Sequence, residues 1–189
     1  MTEEEIQKES LRLMKILRYA RTTHLARLIL ETDTASTKTR VGKSLNKLAE
    51  LGEIDKIERS TREGGNIYRL KGLKGDGAEH TLAVTDVLTD ILEAYPKSKI
   101  KREYQLTSLS RADAVMILRS PTKGSLPVIL EVPLSESKET LLDKIKDYRT
   151  LESFFEFDHF GILVIGEMEI DQQGVICAPK FIKELVDDF

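Results

Sequence analysis

Two carboxylates and one basic segment are the parts of this chain whose residue types and spacing can do chemistry. Asp113 stands at the head of an apolar run, 112–119, and Glu131 at the tail of another, 126–132. If both runs are strands of one sheet, an Asp opening one and a Glu closing its neighbour bring two carboxylates to the same sheet edge. Paired carboxylates can hold Mg²⁺. The basic segment is 37–51, where Val41, Leu45 and Leu48 form an apolar stripe and Thr39, Lys43 and Asn46 point away from it, with Arg40 and Lys47 at its edges. These side chains suit nucleic acid: Arg and Lys donate to guanine O6 and N7, Asn can pair bidentately with adenine, and Thr meets a thymine methyl or a phosphate. Ser36 and Lys38 join the set at the front of the segment, and Arg59, Arg62 and Arg69 follow it, spaced to hold a DNA backbone beside the groove.

Other reactive types are sparse. The three His, at positions 24, 80 and 159, include no i, i+4 pair, which argues against a zinc site, and Cys177 lies between Ile176 and Ala178 as a small hydrophobe would. A plainer account of the carboxylates is that Asp113 ends a turn before its strand and Glu131 sits on an exposed strand end paired with Lys144. The plainer account of the basic segment is a solvated helix face, or a module that binds protein.

The elements that must position these residues read as follows. Residues 3–20 form a first helix behind the acidic turn Glu3-Glu-Glu, which favours a helix N-terminus. Thr22-Thr23 caps a second helix that Thr32-Asp-Thr-Ala-Ser36 breaks, and a third runs over 37–51 until Gly52 stops it. Two short strands follow, 53–59 and 66–70, joined by the turn-rich 60–65. Three helices and a hairpin is the order of a winged helix. The glycines of Lys71-Gly-Leu-Lys-Gly-Asp-Gly77 mark a domain boundary. Beyond it come a helix at 79–95 closed by Pro96, strands at 100–106, 112–119 and 126–132, a helix at 137–155, a strand at 160–165 apolar enough to be covered on both faces, and a terminal helix at 181–186. The second part thus reads α-β-β-β-α-β-α.

Charge divides at the same glycines. Residues 1–75 hold 16 Lys and Arg against 11 Asp and Glu, a net of +5, whereas 76–189 hold 13 against 21, a net of -8. A basic front is drawn to polyanions and an acidic back is repelled by them. No apolar run approaches the roughly 20 residues that cross a bilayer. The first ten residues carry four Glu and no apolar stretch, unlike a secretory signal, and one Cys in 189 residues suits a reducing compartment. The expected location is cytoplasmic, away from membranes.

The runs Thr23-His-Leu-Ala-Arg-Leu-Ile-Leu and Ser36-Thr-Lys-Thr-Arg-Val-Gly-Lys-Ser-Leu-Asn-Lys-Leu-Ala-Glu-Leu-Gly-Glu-Ile-Asp-Lys-Ile resemble the helix-turn-helix and wing of bacterial and archaeal winged-helix transcriptional regulators. In the second part, Arg111-Ala-Asp113-Ala-Val and Val128-Ile-Leu-Glu131-Val-Pro133 resemble the core of the PD-(D/E)XK nucleases. That resemblance implies metal-binding roles for Asp113 and Glu131 and a Lys two residues after the Glu to activate water. Pro133 fills the Lys place; Lys138 or Lys144 from the next helix would have to replace it. The whole chain is similar to the replication-relaxation family of plasmids and mobile elements, which joins a winged helix to a degenerate nuclease-like domain. His80, Glu103, Arg111-Ala-Asp113-Ala, Glu131 and Lys144-Ile-Lys-Asp-Tyr148 carry the likeness.

The reading is an α+β chain: a winged helix-turn-helix over 1–75 and a small α/β nuclease-like domain over 76–189 that does not cut. Its expected function is DNA-binding regulation of plasmid or mobile-element transcription or replication, as a homodimer on double-stranded DNA and without a cofactor. The alternatives are a Mg²⁺-dependent endonuclease using Asp113, Glu131 and Lys144, and a non-catalytic adaptor for a replication or conjugation protein.

Overall fold

A computed structural model describes residues 1–57, 66–73, 78–121, 124–151 and 160–189. Among them are five α-helices and two β-sheets in a mixed α+β arrangement, forming two compact units, Met1–Thr89 and Asp90–Phe189.

In the first unit, α1 (Glu3–Leu17) begins at a reciprocal cap: the Glu5 amide donates to Thr2 Oγ1 at 3.2 Å, and the Thr2 amide donates to Glu5 Oε2 at 2.7 Å. It ends sooner than the apolar spacing predicts. Arg18 turns to φ 64°, and the next residues pair as β1 (Tyr19–Arg21), a strand not expected from the sequence. α2 (Thr22–Leu30) ends at Glu31 in the left-handed region. α3 (Ala35–Glu50) starts two residues ahead of expectation because Thr34 Oγ1 caps it, accepting from the Thr37 amide at 3.3 Å, and Gly52 at φ +72° follows its end. β2 (Ile54–Ile57) and β3 (Ile67–Leu70) are antiparallel, and β1 lies along the other side of β3, giving the order β1-β3-β2. The expected turn at 60–65 and its flanking residues, with Arg59 and Arg62, lie outside the described residues.

α4 (Ala78–Ala94) buries Leu82, Val84, Val87, Leu88, Ile91 and Leu92, as its spacing predicts. The glycine-rich boundary expected near 75 falls at 74–77, outside the described residues, and the division into units comes later, between Thr89 and Asp90. Specific bonds tie the first turns of α4 to the helical unit. Thr85 Oγ1 donates to the Tyr19 carbonyl at 2.9 Å, and Asp86 meets His24.

In the second unit, β4 (Lys99–Gln105), β5 (Arg111–Ser120) and β6 (Gly124–Glu131) form an antiparallel meander. Parallel β7 (Gly161–Ile165) and β8 (Val175–Ala178) extend it in the order β4-β5-β6-β7-β8. All five residues of β7 are buried, in agreement with a strand covered on both faces. β8 is a second unexpected strand. α5 (Lys138–Arg149), capped by Ser137, joins β6 to β7 and packs Leu141, Ile145 and Tyr148 against Ile129, Ile162 and Val164. The helix expected over 137–155 ends sooner, at Arg149, where the Thr150 amide turns back to the Asp147 carbonyl; Phe154 and Phe155 lie outside the described residues. The chain ends in a 3-10 turn, Lys183–Asp188, in place of the expected helix at 181–186; six residues are too few to propagate an α-helix by themselves. No helix among the described residues is long and apolar enough to cross a membrane.

Candidate functional site

The exposed face of α3 follows from its buried stripe. Val41, Ser44, Leu45 and Leu48 face inward, so Ser36, Thr39, Arg40, Lys43, Asn46 and Lys47 face solvent, with Lys38 half-buried. The polar set predicted from the sequence therefore shares one helix surface, although its members differ in freedom. Arg40 Nη2 donates to the Met1 carbonyl at 2.9 Å, Thr39 Oγ1 donates back to the Ala35 carbonyl at 2.8 Å, and Lys47 lies 3.7 Å from Glu50. Arg69 has a partner within the fold. On β3 it faces Asp55 across the ladder, and its guanidinium donates to Asp55 Oδ2 through Nη2 at 2.8 Å and Nε at 3.1 Å. The register of β2 on β3 sets this pair, which single-strand spacing does not reveal.

The carboxylates meet as their strand positions predict. Ala114 is paired with Leu130, so continuing the antiparallel register one residue sets Asp113 opposite Glu131. Glu131 is also the last residue of β6, opposite Val164 of β7. Glu131 is not on an exposed strand end, as the plainer account has it: it is 1% exposed. Its pairing with Lys144 is nonetheless present, with Nζ 3.2 Å from Oε2. Asp113 is half-buried inside β5 and accepts the Val132 amide on Oδ2 at 2.8 Å, so it ends no turn.

Two partners were not singled out for this role from the sequence. Tyr148 donates its hydroxyl to Glu131 Oε1 at 2.6 Å, and Glu136 Oε1 lies 2.9 Å from Lys144 Nζ. Lys144 and Tyr148 are four apart on α5, so both reach the same place beneath the helix, and that i, i+4 spacing is the signal that could have found them. Burial, and then the nearby Asp113, push the Glu131 carboxyl up to about 7, against the opposing pull of Lys144 and Tyr148. Burial and then Glu131 push the Tyr148 phenol up, so it remains a donor. Burial alone would lower Lys144, but Glu131 and Glu136 outweigh it and its pKa rises.

Mg²⁺ takes about six oxygens in a tight octahedron and needs its carboxylates ionised. Here both Glu131 oxygens take protein donors, one Asp113 oxygen takes a backbone amide, and a lysine ammonium sits against Glu131. This donor set does not fit the ion. Among the described residues no group of three or more His, Cys, Asp and Glu is arranged to hold a metal.

The remaining candidates have structural surroundings. His24 is buried at the start of α2. Its Nδ1 accepts the Arg21 amide at 3.1 Å, so its proton is on Nε2, donated to Asp86 Oδ1 at 2.6 Å. Cys177 is half-buried, its thiol pushed up by burial, with Sγ 3.9 Å from the Ile170 carbonyl. His80 is exposed on the first turn of α4, Lys138 is exposed at the start of α5, and His159 lies outside the described residues. Glu103, at φ 47°, is 3.7 Å from Arg111 on the next strand. Compared with protein-family models, curated proteins and solved structures, the chain matches none.

Proposed function

We propose that this chain binds double-stranded DNA through a winged helix in its first unit and regulates transcription or replication of a plasmid or other mobile element. The observation that carries the reading is the solvent face of α3, where Ser36, Thr39, Arg40, Lys43, Asn46 and Lys47 stand together opposite a fully apolar or small-residue stripe. The chain order α1-β1-α2-α3-β2-β3, with the sheet order β1-β3-β2, supports a winged helix in which α3 enters the major groove and the β2–β3 hairpin lies beside it. The excess of Lys and Arg in residues 1–75 supports a polyanionic partner.

The acidic second unit would then be nuclease-like in arrangement and non-cutting, available for dimerisation or for a replication or conjugation protein. The endonuclease alternative draws on one observation, the approach of Lys144 to Glu131, because a lysine from α5 would stand in for the one that Pro133 replaces. Against it, burial raises the pKa of the same Glu131, and its carboxyl is bonded to Tyr148. An electrophoretic shift on random-sequence and element-derived duplexes tests binding, and supercoiled-plasmid nicking in Mg²⁺ and Mn²⁺ tests cutting. The reading expects a shift without nicks. Nicks that vanish in both Asp113→Ala and Lys144→Ala would make the endonuclease the better account.

A further inference from the structure

Tyr68 is 1% exposed on β3, the central strand of its sheet, where it is paired with Ala20 on one side and Lys56 on the other. Its hydroxyl donates to Oδ1 of Asn46 on α3 at 3.0 Å. Burial raises the Tyr68 pKa and outweighs hydrogen bonds with Asn66 and Thr22, so the phenol keeps the proton that it donates. Asn46 itself is exposed, three residues beyond Lys43 and next to Lys47. The bond thus joins a buried donor on a strand paired along both edges to a side chain on the solvent face of α3.

An amide oxygen has two lone pairs, and the amide nitrogen has two hydrogens. Tyr68 takes one lone pair of Oδ1, and because the phenol is buried it arrives from the protein side. One lone pair and both N–H groups remain for a ligand. An unanchored surface Asn turns about its side-chain torsions and offers either end of its amide first; the anchor at Oδ1 decides which end lies where. Bidentate pairing with adenine needs that order kept, with an acceptor for N6 beside a donor for N7. A phosphate oxygen, or guanine O6 and N7, asks only for the amino end. We propose that Tyr68 is a positioning residue that holds the Asn46 amide in one orientation, so that Asn46 selects adenine in the major groove. The inference rests on the DNA-binding reading above and adds to it one base and the residue that reads it.

The experiment selects duplexes from a random library with the full chain. Fluorescence anisotropy then compares the selected site with versions in which each adenine is replaced in turn. For wild type, replacement at one position is expected to cost about five- to hundredfold in affinity. Asn46→Asp keeps an acceptor for Tyr68 and lacks the amino group, and it is expected to lose that preference. Tyr68→Phe keeps Asn46 and is expected to reduce the preference about two- to tenfold, the worth of one hydrogen bond. A merely structural bond would weaken all sequences alike and leave the ratio between them unchanged. NMR relaxation of the Asn46 side-chain amide in the free wild-type chain needs no variant: an order parameter above about 0.6 is expected, and a lower one overturns the proposal even when Tyr68→Phe does not fold. An adenine preference that is undiminished in Tyr68→Phe overturns it too, as does the absence of any adenine preference that depends on Asn46. A wild type that binds no duplex sinks the reading and the inference together, whereas binding without this adenine contact sinks the inference only.

Discussion

Glu131 is a carboxyl whose environment favours its proton. Its pKa rises from 4.5 to about 7, first through burial and then through Asp113. Between those values the folded chain holds more protons than the unfolded chain, so the contribution of this group to stability falls as pH rises through the window and stays low above it. Glu131→Gln keeps an acceptor for Tyr148 and removes the titration. Urea unfolding at about pH 5 and about pH 8 is expected to show a loss on the order of 2 kcal/mol in the wild type that is much smaller in the variant. Equal losses in both proteins would assign the pH dependence to other groups.

Elements decide which side chains are free to act. On α3, Lys43 is exposed and Arg40 is bonded to the Met1 carbonyl, so Lys43 gives the cleaner test. Lys43→Ala is expected to weaken duplex binding and, if it removes a phosphate contact, to flatten the salt dependence by about one unit of slope. Its thermal unfolding should match the wild type. Unchanged affinity at every salt concentration would remove Lys43 from the interface. On β7, the ring of Phe189 occupies the space where a Cβ on Gly161 would stand. Gly161→Ala should therefore cost about 1–3 kcal/mol of stability, and much less when Phe189→Ala has cleared the space. A double-mutant cycle by thermal unfolding measures that coupling; additive costs would mean that the methyl is accommodated without moving the ring.

For the whole molecule, size and charge frame the expectation of a homodimer. Under the proposed reading one α3 would span one half-site, and specific affinity commonly comes from two half-sites about one helical turn apart. On the same proposed reading, a net of -8 over residues 76–189 would keep that part of the chain off DNA and leave it for protein contacts. Multi-angle light scattering at micromolar concentration is expected to give twice the 21.4 kDa chain mass, with a dimer-sized complex on a palindromic duplex. A 21.4 kDa species both alone and on DNA would remove the dimer.

Local signals determined the helices. The acidic turn Glu3-Glu-Glu, the stripe Val41, Leu45 and Leu48, the stop at Gly52 and the apolar run of β7 all act within a few residues, so they are legible in a linear reading. The split between a basic front and an acidic back, and the strand positions that set Asp113 against Glu131, were equally present in the sequence. Strands β1 and β8 were not, because a short strand exists through its partner: Tyr19 pairs with Arg69, and Cys177 with Val164. Pairing likewise gave Arg69 a partner, Asp55, that linear spacing does not reveal. The character of Glu131 was least visible of all. A glutamate has an ordinary pKa until burial strips its water, and only the packing of α5 over β6 brings Tyr148 and Lys144 to its two oxygens.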